Sequence, residues 1–176
     1  NGDVGKDEKA KLIARAIFGN GPKDKNKLGP AVFNKHGVAS DGFNIVSNQF
    51  SLHYFIKDVH VLNEFIRNVS ECCSVGGYFI GCCYDGKKIF ELLKNVEVEE
   101  TKRIVSKNNK DNIMLSIKKM YADTEFKDDE TSVGKRIDVL QESINRVFPE
   151  YLVNFKYLSR LLSDYGYIEL SKKELK

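Results

Sequence analysis

Residues 43–82 read FNIVSNQFSLHYFIKDVHVLNEFIRNVSECCSVGGYFIGC, and this stretch decides the fold class. It opens with a short apolar run at 43–47 and closes with a continuous apolar run at 78–82, each of strand length. Between them, Asp58 suits the N-cap of a helix that Gly76-Gly77 is expected to end. The helix has one apolar stripe, formed by Leu62, Phe65, Ile66, Val69 and Cys73. A buried strand, a helix and another buried strand predict a βαβ unit, and hence a parallel sheet.

Further helices are predicted on both sides of this unit. The first covers 6–18 and ends at the run Gly19-Asn20-Gly21-Pro22. A connector rich in Lys, Asn and Gly is expected from there to about Gly29. After the second strand, apolar spacing predicts another helix over 87–94.

The C-terminal half predicts antiparallel strands and one more helix. Apolar residues alternate at 113–117 and again at 137–139, as in strands with one exposed face. Pro149 is predicted to open a long amphipathic helix that runs to Tyr165, because proline suits the first helical position. A last short strand is predicted over 167–170. The fold class is therefore α/β with an antiparallel insertion.

The composition is that of a globular chain with an even charge balance. It is 41% hydrophobic and 30% charged, and its 28 basic and 25 acidic residues leave a formal net charge of +3. This balance does not by itself argue for a nucleic-acid partner. No apolar run approaches the roughly 20 residues of a membrane span, and no signal-peptide pattern is present. We therefore expect a protein that is neither membrane-bound nor secreted.

The four cysteines form two adjacent pairs, Cys72-Cys73 and Cys82-Cys83. Adjacent thiolates lack the spacing needed to share a tetrahedral zinc ion. His36 and His60 also have no partners at ligand spacing, so no metal site is predicted. Small buried thiols, kept reduced in a cytoplasmic compartment, are the simpler interpretation.

Polar and aromatic side chains follow the first predicted strand with no turn residue before them. The segment is NQFSLHYF at 48–55, and its polar members include Gln49, His53 and Tyr54. Ligands collect at the carboxyl ends of parallel strands, so this segment and Cys83-Tyr84-Asp85 after the second strand are candidate site walls. Alternatively, the aromatic residues are core and His53 makes a local cap. The pattern alone does not decide between the two.

The second strand end also resembles a phosphate-binding loop. GCCYDGKK at 81–88 nearly spells G-x-x-x-x-G-K-[ST] between a strand and a helix. Lys88 occupies the place of the Ser or Thr whose hydroxyl holds Mg²⁺, and no later strand ends in an obvious Mg²⁺ aspartate. A nucleotide-hydrolysing function is therefore disfavoured.

Three segments, taken in order, resemble the mRNA cap guanine-N7 methyltransferases. They are FNIVSNQFSLHYF (43–55), NVSECCSVGGYFIGCCYDG (68–86) and FPEYLVNFKYL (148–158). ARAIFGNGPKD near the start and DDETSVG in the later half resemble the form of this domain in capping enzymes of large DNA viruses. The resemblance covers nearly the whole chain. It implies a Rossmann-like sheet and S-adenosylmethionine as the methyl donor.

The resemblance also implies roles for individual residues. Gln49 and Tyr54 match positions that contact the methyl donor. Phe50, His53 and Tyr54 match positions that face the cap guanine, and Glu150 matches the acidic cap-binding residue of the family. The family often has Thr-Thr-Pro where this chain has Cys-Cys-Tyr at 82–84.

The chemistry of guanine suits these side chains. Its N1–H and N2–H₂ donors match the carboxylate of Glu150, and its O6 acceptor matches an N–H of His53. Tyr84, at the place of the family's proline, offers an aromatic face for stacking, which is worth about 1–3 kcal/mol per base. Guanine N7 already has an exposed lone pair. Positioning and electrostatics are therefore expected to suffice, with no catalytic side chain and no metal.

The resemblance further predicts an incomplete domain. The family's glycine-rich donor-binding segment is expected upstream of residue 1, and distal cap contacts are expected after Lys176. We therefore expect 1–176 to be one partial methyltransferase domain that is inactive alone.

The leading hypothesis is methyl transfer from S-adenosylmethionine to N7 of the cap of capped RNA, within a larger cytoplasmic capping enzyme, in an infected cell or virion if viral. Whether the parent also carries triphosphatase and guanylyltransferase domains stays open. Alternatives are a non-catalytic cap-binding or partner-stabilising fragment, and a methyltransferase for another substrate.

Overall fold

The computed structural model of the chain describes residues 7–105, 113–141, 146–171 and 173–174. Its helices are α1 (Glu8–Ile17), α2 (Lys25–Phe33), α3 (Val59–Cys72), α4 (Gly86–Leu92) and α5 (Phe155–Asp164), with 3₁₀ turns at Leu52–Ile56 and Glu130–Ser132. Its strands are β1 (Phe43–Gln49), β2 (Cys73–Cys82), β3 (Thr101–Val105), β4 (Ile113–Lys119), β5 (Arg136–Gln141) and β6 (Arg146–Tyr151). Among the described helices, none has the length and apolar character needed to cross a membrane.

Residue contacts divide the chain into two compact units. The first comprises Asn1–Val46 and Val69–Phe79, and the second comprises Ser47–Asn68 and Ile80–Lys176. Every residue for which the sequence implies a donor or cap contact therefore belongs to the second unit.

β1 and β2 form a two-stranded sheet, and close approaches between them give its direction. A Cβ built on Gly77 would lie 3.0 Å from the carbonyl oxygen of Asn44, and one built on Gly81 would lie 2.5 Å from that of Asn48. The two strands advance together by four residues between these contacts, so they run parallel. With α3 between them, they form the βαβ unit predicted from the sequence.

α3 begins where the sequence predicts, because the Asp58 carboxylate accepts a hydrogen bond from the Val61 N–H at 2.8 Å. Its apolar stripe is buried, as Leu62, Phe65, Ile66 and Val69 illustrate. The prediction that Gly76-Gly77 ends the helix is wrong, since both glycines lie inside β2. Gly77 instead permits the close approach to β1, so its lack of a Cβ serves strand pairing.

The other four strands form an antiparallel meander in the order β3-β4-β5-β6. The predicted antiparallel strands are confirmed, and Ile117, Ile137 and Val139 of their alternation are buried. They join α4 in one apolar cluster, which consists of Phe90, Leu93, Ile117, Tyr121, Ile137, Val139 and Leu152. This cluster anchors the strand that carries Glu150, because Glu150 pairs with Ile137.

The predicted start of the last helix is wrong. Pro149 lies in β6 opposite Asp138, and α5 begins only after Asn154, its N-cap. β6 is the edge strand of its sheet, where a residue without an N–H is tolerated. Residues 167–170, predicted as a strand, are irregular.

Two predictions near the N-terminus also fail. The expected connector contains α2, which Asp24 caps and which kinks at Gly29, where φ is 73°. The apolar residues of β1 are not buried as predicted, since Phe43 is 40% exposed and Ile45 is 60% exposed. The described residues therefore cover this apolar face only in part, although the Phe18 ring packs edge-on against Phe43 at 5.7 Å.

Candidate functional site

The site segment begins where β1 ends. The Phe50 N–H, just past the end of β1, donates to the Cys82 carbonyl oxygen at 2.8 Å. Phe50 has a φ of 50°, in the left-handed region that a bulky residue rarely adopts, and its side chain is 65% exposed. Backbone strain of this kind costs about 1–3 kcal/mol and is concentrated at functional sites. Such strain fits a ring that is held out for a ligand.

Both the nitrogen and the oxygen of the Gln49 carboxamide form hydrogen bonds with nearby side chains. Its Nε2 donates to the Ser47 hydroxyl at 3.1 Å, and its Oε1 accepts from the Cys82 thiol at 2.9 Å. Gln49 itself is exposed. The sequence prediction missed Ser47 and Cys82. Ser47 lies two residues before Gln49, and Cys82 lies at the carboxyl end of the neighbouring strand. These positions could have indicated contacts with Gln49.

His53 and Glu150 form a buried pair. His53 is 6% exposed and Glu150 is 3% exposed, and His53 Nε2 lies 3.8 Å from Glu150 Oε1. That distance is too long for a direct hydrogen bond. Within the described part of the chain, neither ring nitrogen of His53 has a hydrogen-bond partner. Buried polar atoms without partners are uncommon and costly, so they point to a ligand that completes them.

Burial shifts the proton affinities of this pair in opposite directions. It lowers the pKa of His53 and raises the pKa of Glu150 to about 7. Each shift favours the neutral form, because a charged group loses its hydration on burial. Near neutral pH the pair is therefore a neutral imidazole beside a carboxyl group that is close to its titration midpoint. This combination offers both donors and acceptors to a ligand.

Aromatic side chains lie around the pair. The Tyr54 ring meets the His53 ring edge-on, with 4.2 Å between centroids, and is 44% exposed. Tyr84 is 38% exposed. Burial raises the pKa of both phenols, and the charge of Glu150 raises each further. Tyr54, His53 and Glu150 thus lie together, and the hydrogen bond from the Gly86 N–H to the Val153 oxygen joins the segments that carry Tyr84 and Glu150.

In the segment that resembles a phosphate-binding loop, carboxylates of the chain itself bind the backbone N–H groups and a lysine. The Asp85 carboxylate accepts from the backbone N–H groups of Lys87 and Lys88, at 3.0 and 3.2 Å. The Lys87 ammonium is 2.6 Å from the carboxylate of Asp128. The chain's own carboxylates thus bind the groups that would contact a phosphate in such a loop.

A mixed α/β fold with carboxylate, imidazole and aromatic groups beside a strand end is suited to a planar ligand with polar edges. Comparison with known proteins identifies the family of this chain. Residues 8–176 match the mRNA (guanine-N(7))-methyltransferase domain, and the chain belongs to this family. The predicted family and the α/β class are confirmed. Membership of a methyltransferase family implies S-adenosylmethionine as methyl donor.

Individual relatives agree with this family. The chain is similar to a probable mRNA-capping enzyme of Acanthamoeba polyphaga mimivirus, at 27% identity over 169 residues, which covers 92% of this chain and 14% of that protein. It is also similar to an mRNA cap guanine-N(7) methyltransferase of Eremothecium gossypii, at 30% identity over 124 residues, which covers 70% of this chain and 28% of that protein. The chain thus spans less than a third of either relative's length. These similarities do not test the roles of the individual site residues, which stay predictions.

Proposed function

We propose that this chain recognises the guanine of capped RNA and contributes to its methylation at N7, as part of a longer capping protein. The observation that carries the proposal is the buried pair of His53 and Glu150 beside exposed aromatic rings, in a member of the cap methyltransferase family. The pair has unmet hydrogen-bonding capacity at His53, and the rings offer flat apolar faces.

Guanine complements this arrangement group by group. Its N1–H and N2–H₂ point to one side, where the carboxylate of Glu150 can accept from both. A neutral His53 has one N–H to donate to O6. Phe50, Tyr54 and Tyr84 provide faces and edges against which the base can stack. The guanine donors also favour the ionised carboxylate, so base binding would lower the pKa of Glu150 from its raised value.

The donor side rests on Gln49 and Tyr54. S-adenosylmethionine would supply an electrophilic methyl group on a sulfonium sulfur. The carboxamide of Gln49, held by Ser47 and Cys82, fits a polar ligand because its orientation is set before binding. The Tyr54 ring, which lies edge-on to His53, would contact both the donor and the bound guanine.

The residues of the site position the base instead of exchanging its protons. Guanine N7 carries an available lone pair, so the methyl group can pass to it directly and no general base is needed. Glu150 and His53 would fix the base plane, and the rings would fix its height above the donor. We assign no catalytic side chain and no metal to this step, since the reaction removes no proton.

We further propose that the methyltransferase domain extends beyond this chain. The short span relative to both relatives supports this, as does the exposed apolar face of β1. A second candidate function is cap binding without methylation. It is favoured by His53, whose unpartnered ring nitrogens belong to the proposed guanine contacts and not to the donor contacts.

Transfer of labelled methyl from S-adenosylmethionine to GpppN-capped RNA tests the proposal, using the longer protein that carries this chain. We expect label at guanine N7, and loss of that label when Glu150→Ala and His53→Ala are combined. Binding of capped RNA without methyl transfer would favour the second candidate. Methylation of a small molecule or protein, with capped RNA ignored, would contradict both.

A further inference from the structure

Gly86, the first residue of α4, touches the backbone of the segment that follows β6. A Cβ built on Gly86 would lie 2.3 Å from the carbonyl oxygen of Val153, 2.6 Å from its nitrogen and 2.8 Å from its carbonyl carbon. The Gly86 N–H donates to the same Val153 oxygen at 3.1 Å. Since the obstructing atoms are all backbone, no side-chain rotation can relieve the contact.

Backbone conformation does not explain this glycine. Gly86 is absent from the described glycines that have a positive φ. An alanine could therefore adopt its conformation, and the close approach alone demands glycine. Any Cβ would have to push Val153 away by roughly 1 Å before an ordinary non-bonded separation returned.

The contact joins two segments of the proposed guanine site. Gly86 lies two residues after Tyr84, and Val153 lies three residues after Glu150. Burial raises the pKa of the Tyr84 phenol, and the charge of Glu150 raises it further. A shift at the junction of Gly86 and Val153 would therefore change the spacing between a stacking ring and the carboxylate.

A polar bridge crosses the same junction. Asp128 accepts from the ammonium of Lys87, next to Gly86, at 2.6 Å. Asp128 also accepts from the carboxamide of Asn154, next to Val153, at 3.1 Å. Lys87 and Asn154, the neighbours of Gly86 and Val153, thus both bind the carboxylate of Asp128. This bridge restrains both segments that meet at the contact of Gly86 with Val153.

We infer that Gly86 is a positioning residue for guanine recognition, which sets the distance between Tyr84 and Glu150 through its backbone contact with Val153. This inference rests on the proposed function. A 1 Å displacement of groups that orient a ligand can cost about a hundredfold in rate. The corresponding loss for binding at this junction should be roughly tenfold or more.

Gly86→Ala is the direct test, and Gly166→Ala is its control. Gly166 has a φ of 84° and no atom within 4 Å of a built Cβ, so alanine there adds backbone strain without a collision. We expect both variants to lower the melting temperature. We expect Gly86→Ala alone to weaken binding of GpppN-capped RNA, by roughly tenfold or more. Equal affinity of Gly86→Ala and wild type would overturn the inference.

A double-variant comparison separates positioning from general destabilisation. If Gly86 acts through Tyr84, then Tyr84→Ala should weaken binding in the wild type and change little in the Gly86→Ala background. Full additivity of the two effects would contradict the inference. Should Gly86→Ala fail to fold, Asp128→Ala cuts the bridge without a collision. It should then show the same non-additivity with Tyr84→Ala, and additivity would count against the inference.

A measurement without RNA distinguishes failure of this inference from failure of the proposed function. The titration of Tyr84, followed by NMR of labelled tyrosine, should move toward that of an ordinary phenol in Gly86→Ala and stay unchanged in Gly166→Ala. This shift would support the junction even if the wild type ignored the cap. An unchanged Tyr84 titration in Gly86→Ala would overturn it, whatever the RNA result.

Discussion

Glu150 lies in a position where an unpaired carboxylate is costly and a hydrogen-bonded one is strongly favoured. It is 3% exposed, and the imidazole of His53 lies 3.8 Å away. Desolvated groups of this kind discriminate sharply between ligands, since a ligand without matching donors leaves them unpaired. Recognition of guanine should therefore depend on Glu150 more than on any single ring.

Replacement of Glu150 tests this directly. Glu150→Ala should weaken binding of capped RNA by about 1–3 kcal/mol, because two guanine donors lose their acceptor. Glu150→Gln should lose a similar amount, since its amide N–H₂ opposes one of those donors. Glu91→Gln, on an exposed glutamate that pairs with Lys94, is the matched control and should bind normally. The measurement is a calorimetric titration, and unchanged affinity in Glu150→Ala would refute the role.

The titration of Glu150 predicts how binding depends on pH. Its pKa is raised to about 7, and the guanine donors require the carboxylate. Affinity for capped RNA should fall as pH drops below 7, approaching about tenfold per pH unit, and should level off at mildly alkaline pH. Glu150→Gln should lack this trend. A wild-type affinity that stays constant across neutral pH would contradict the assignment.

The same group predicts the opposite trend for stability. Because the folded pKa lies above the unfolded value of 4.5, the contribution of Glu150 is fully present below 4.5 and is lost as pH rises through 7. His53 acts the other way, since its lowered pKa makes the fold lose stability as pH falls below 6.5. Urea unfolding of the wild type and Glu150→Gln at each pH isolates the Glu150 contribution. A difference that does not vary with pH would show that Glu150 titrates normally.

Phe50 predicts a separation of stability from function. Its φ of 50° costs an L-residue about 1–2 kcal/mol that glycine does not incur. Phe50→Gly should therefore be more stable than Phe50→Ala by roughly 1 kcal/mol, while both lose capped-RNA affinity. Thermal unfolding and RNA titration of the two variants check this. Equal stability would show that Phe50 is not strained.

At the scale of elements, the N-terminus of α5 depends on one side chain. The Asn154 carboxamide oxygen accepts from the Lys156 and Tyr157 N–H groups at 3.1 and 3.2 Å. Its Nδ2 donates to the Lys127 carbonyl oxygen and to Asp128. Asn154 is 3% exposed, so its replacement leaves buried backbone donors unpaired.

Removal of this cap should destabilise the protein more than removal of an exposed one. We expect Asn154→Ala to lower the free energy of unfolding by about 2 kcal/mol, and Asp7→Ala, at the exposed N-cap of α1, by about 1 kcal/mol or less. Chemical denaturation of the two variants measures the difference. A larger loss for Asp7→Ala would contradict the structural role given to Asn154.

Predictions at this scale succeeded where the signal was periodic. The βαβ unit followed from two apolar runs around a helical stripe, and the antiparallel strands followed from alternation at 137–139. Pro149 was misassigned because proline suits both a first helical turn and an edge strand. Asn154, directly before the apolar positions of α5, was the better cap signal. Gly76-Gly77 was wrongly predicted to end a helix for a related reason, since glycine also permits close strand pairing.

At the scale of the molecule, the parts of the site come from distant parts of the chain. Gln49 is the last residue of β1, Phe50 to Tyr54 follow it, Tyr84 follows β2, and Glu150 lies in β6. No local pattern predicts that such segments meet, so their grouping came from the resemblance. β6 pairs with β5, and Val153 contacts Gly86. These two contacts position Glu150 relative to the other site residues. The Gly86 contact has no sequence signature, and the sequence prediction missed it.

The exposed apolar face of β1 also belongs to this scale. Phe43 and Ile45 are 40% and 60% exposed, although their pattern is that of a buried strand. Exposed apolar strand faces are uncommon in stable monomers and are normally covered. This fits the proposal that the methyltransferase domain extends beyond the chain. Periodicity predicts which face is apolar but does not predict what covers it.

Discrimination between capped and uncapped RNA shows whether the buried pair of His53 and Glu150 recognises the cap guanine. The dissociation constant would be measured for GpppN-capped RNA and for the same RNA with a 5′-triphosphate end, with the wild type and with the Glu150→Ala, His53→Ala double variant. The account predicts that the wild type prefers the cap by about tenfold or more and that the double variant shows no preference. Equal affinity of the wild type for both RNAs, or a preference that survives the double substitution, would contradict it.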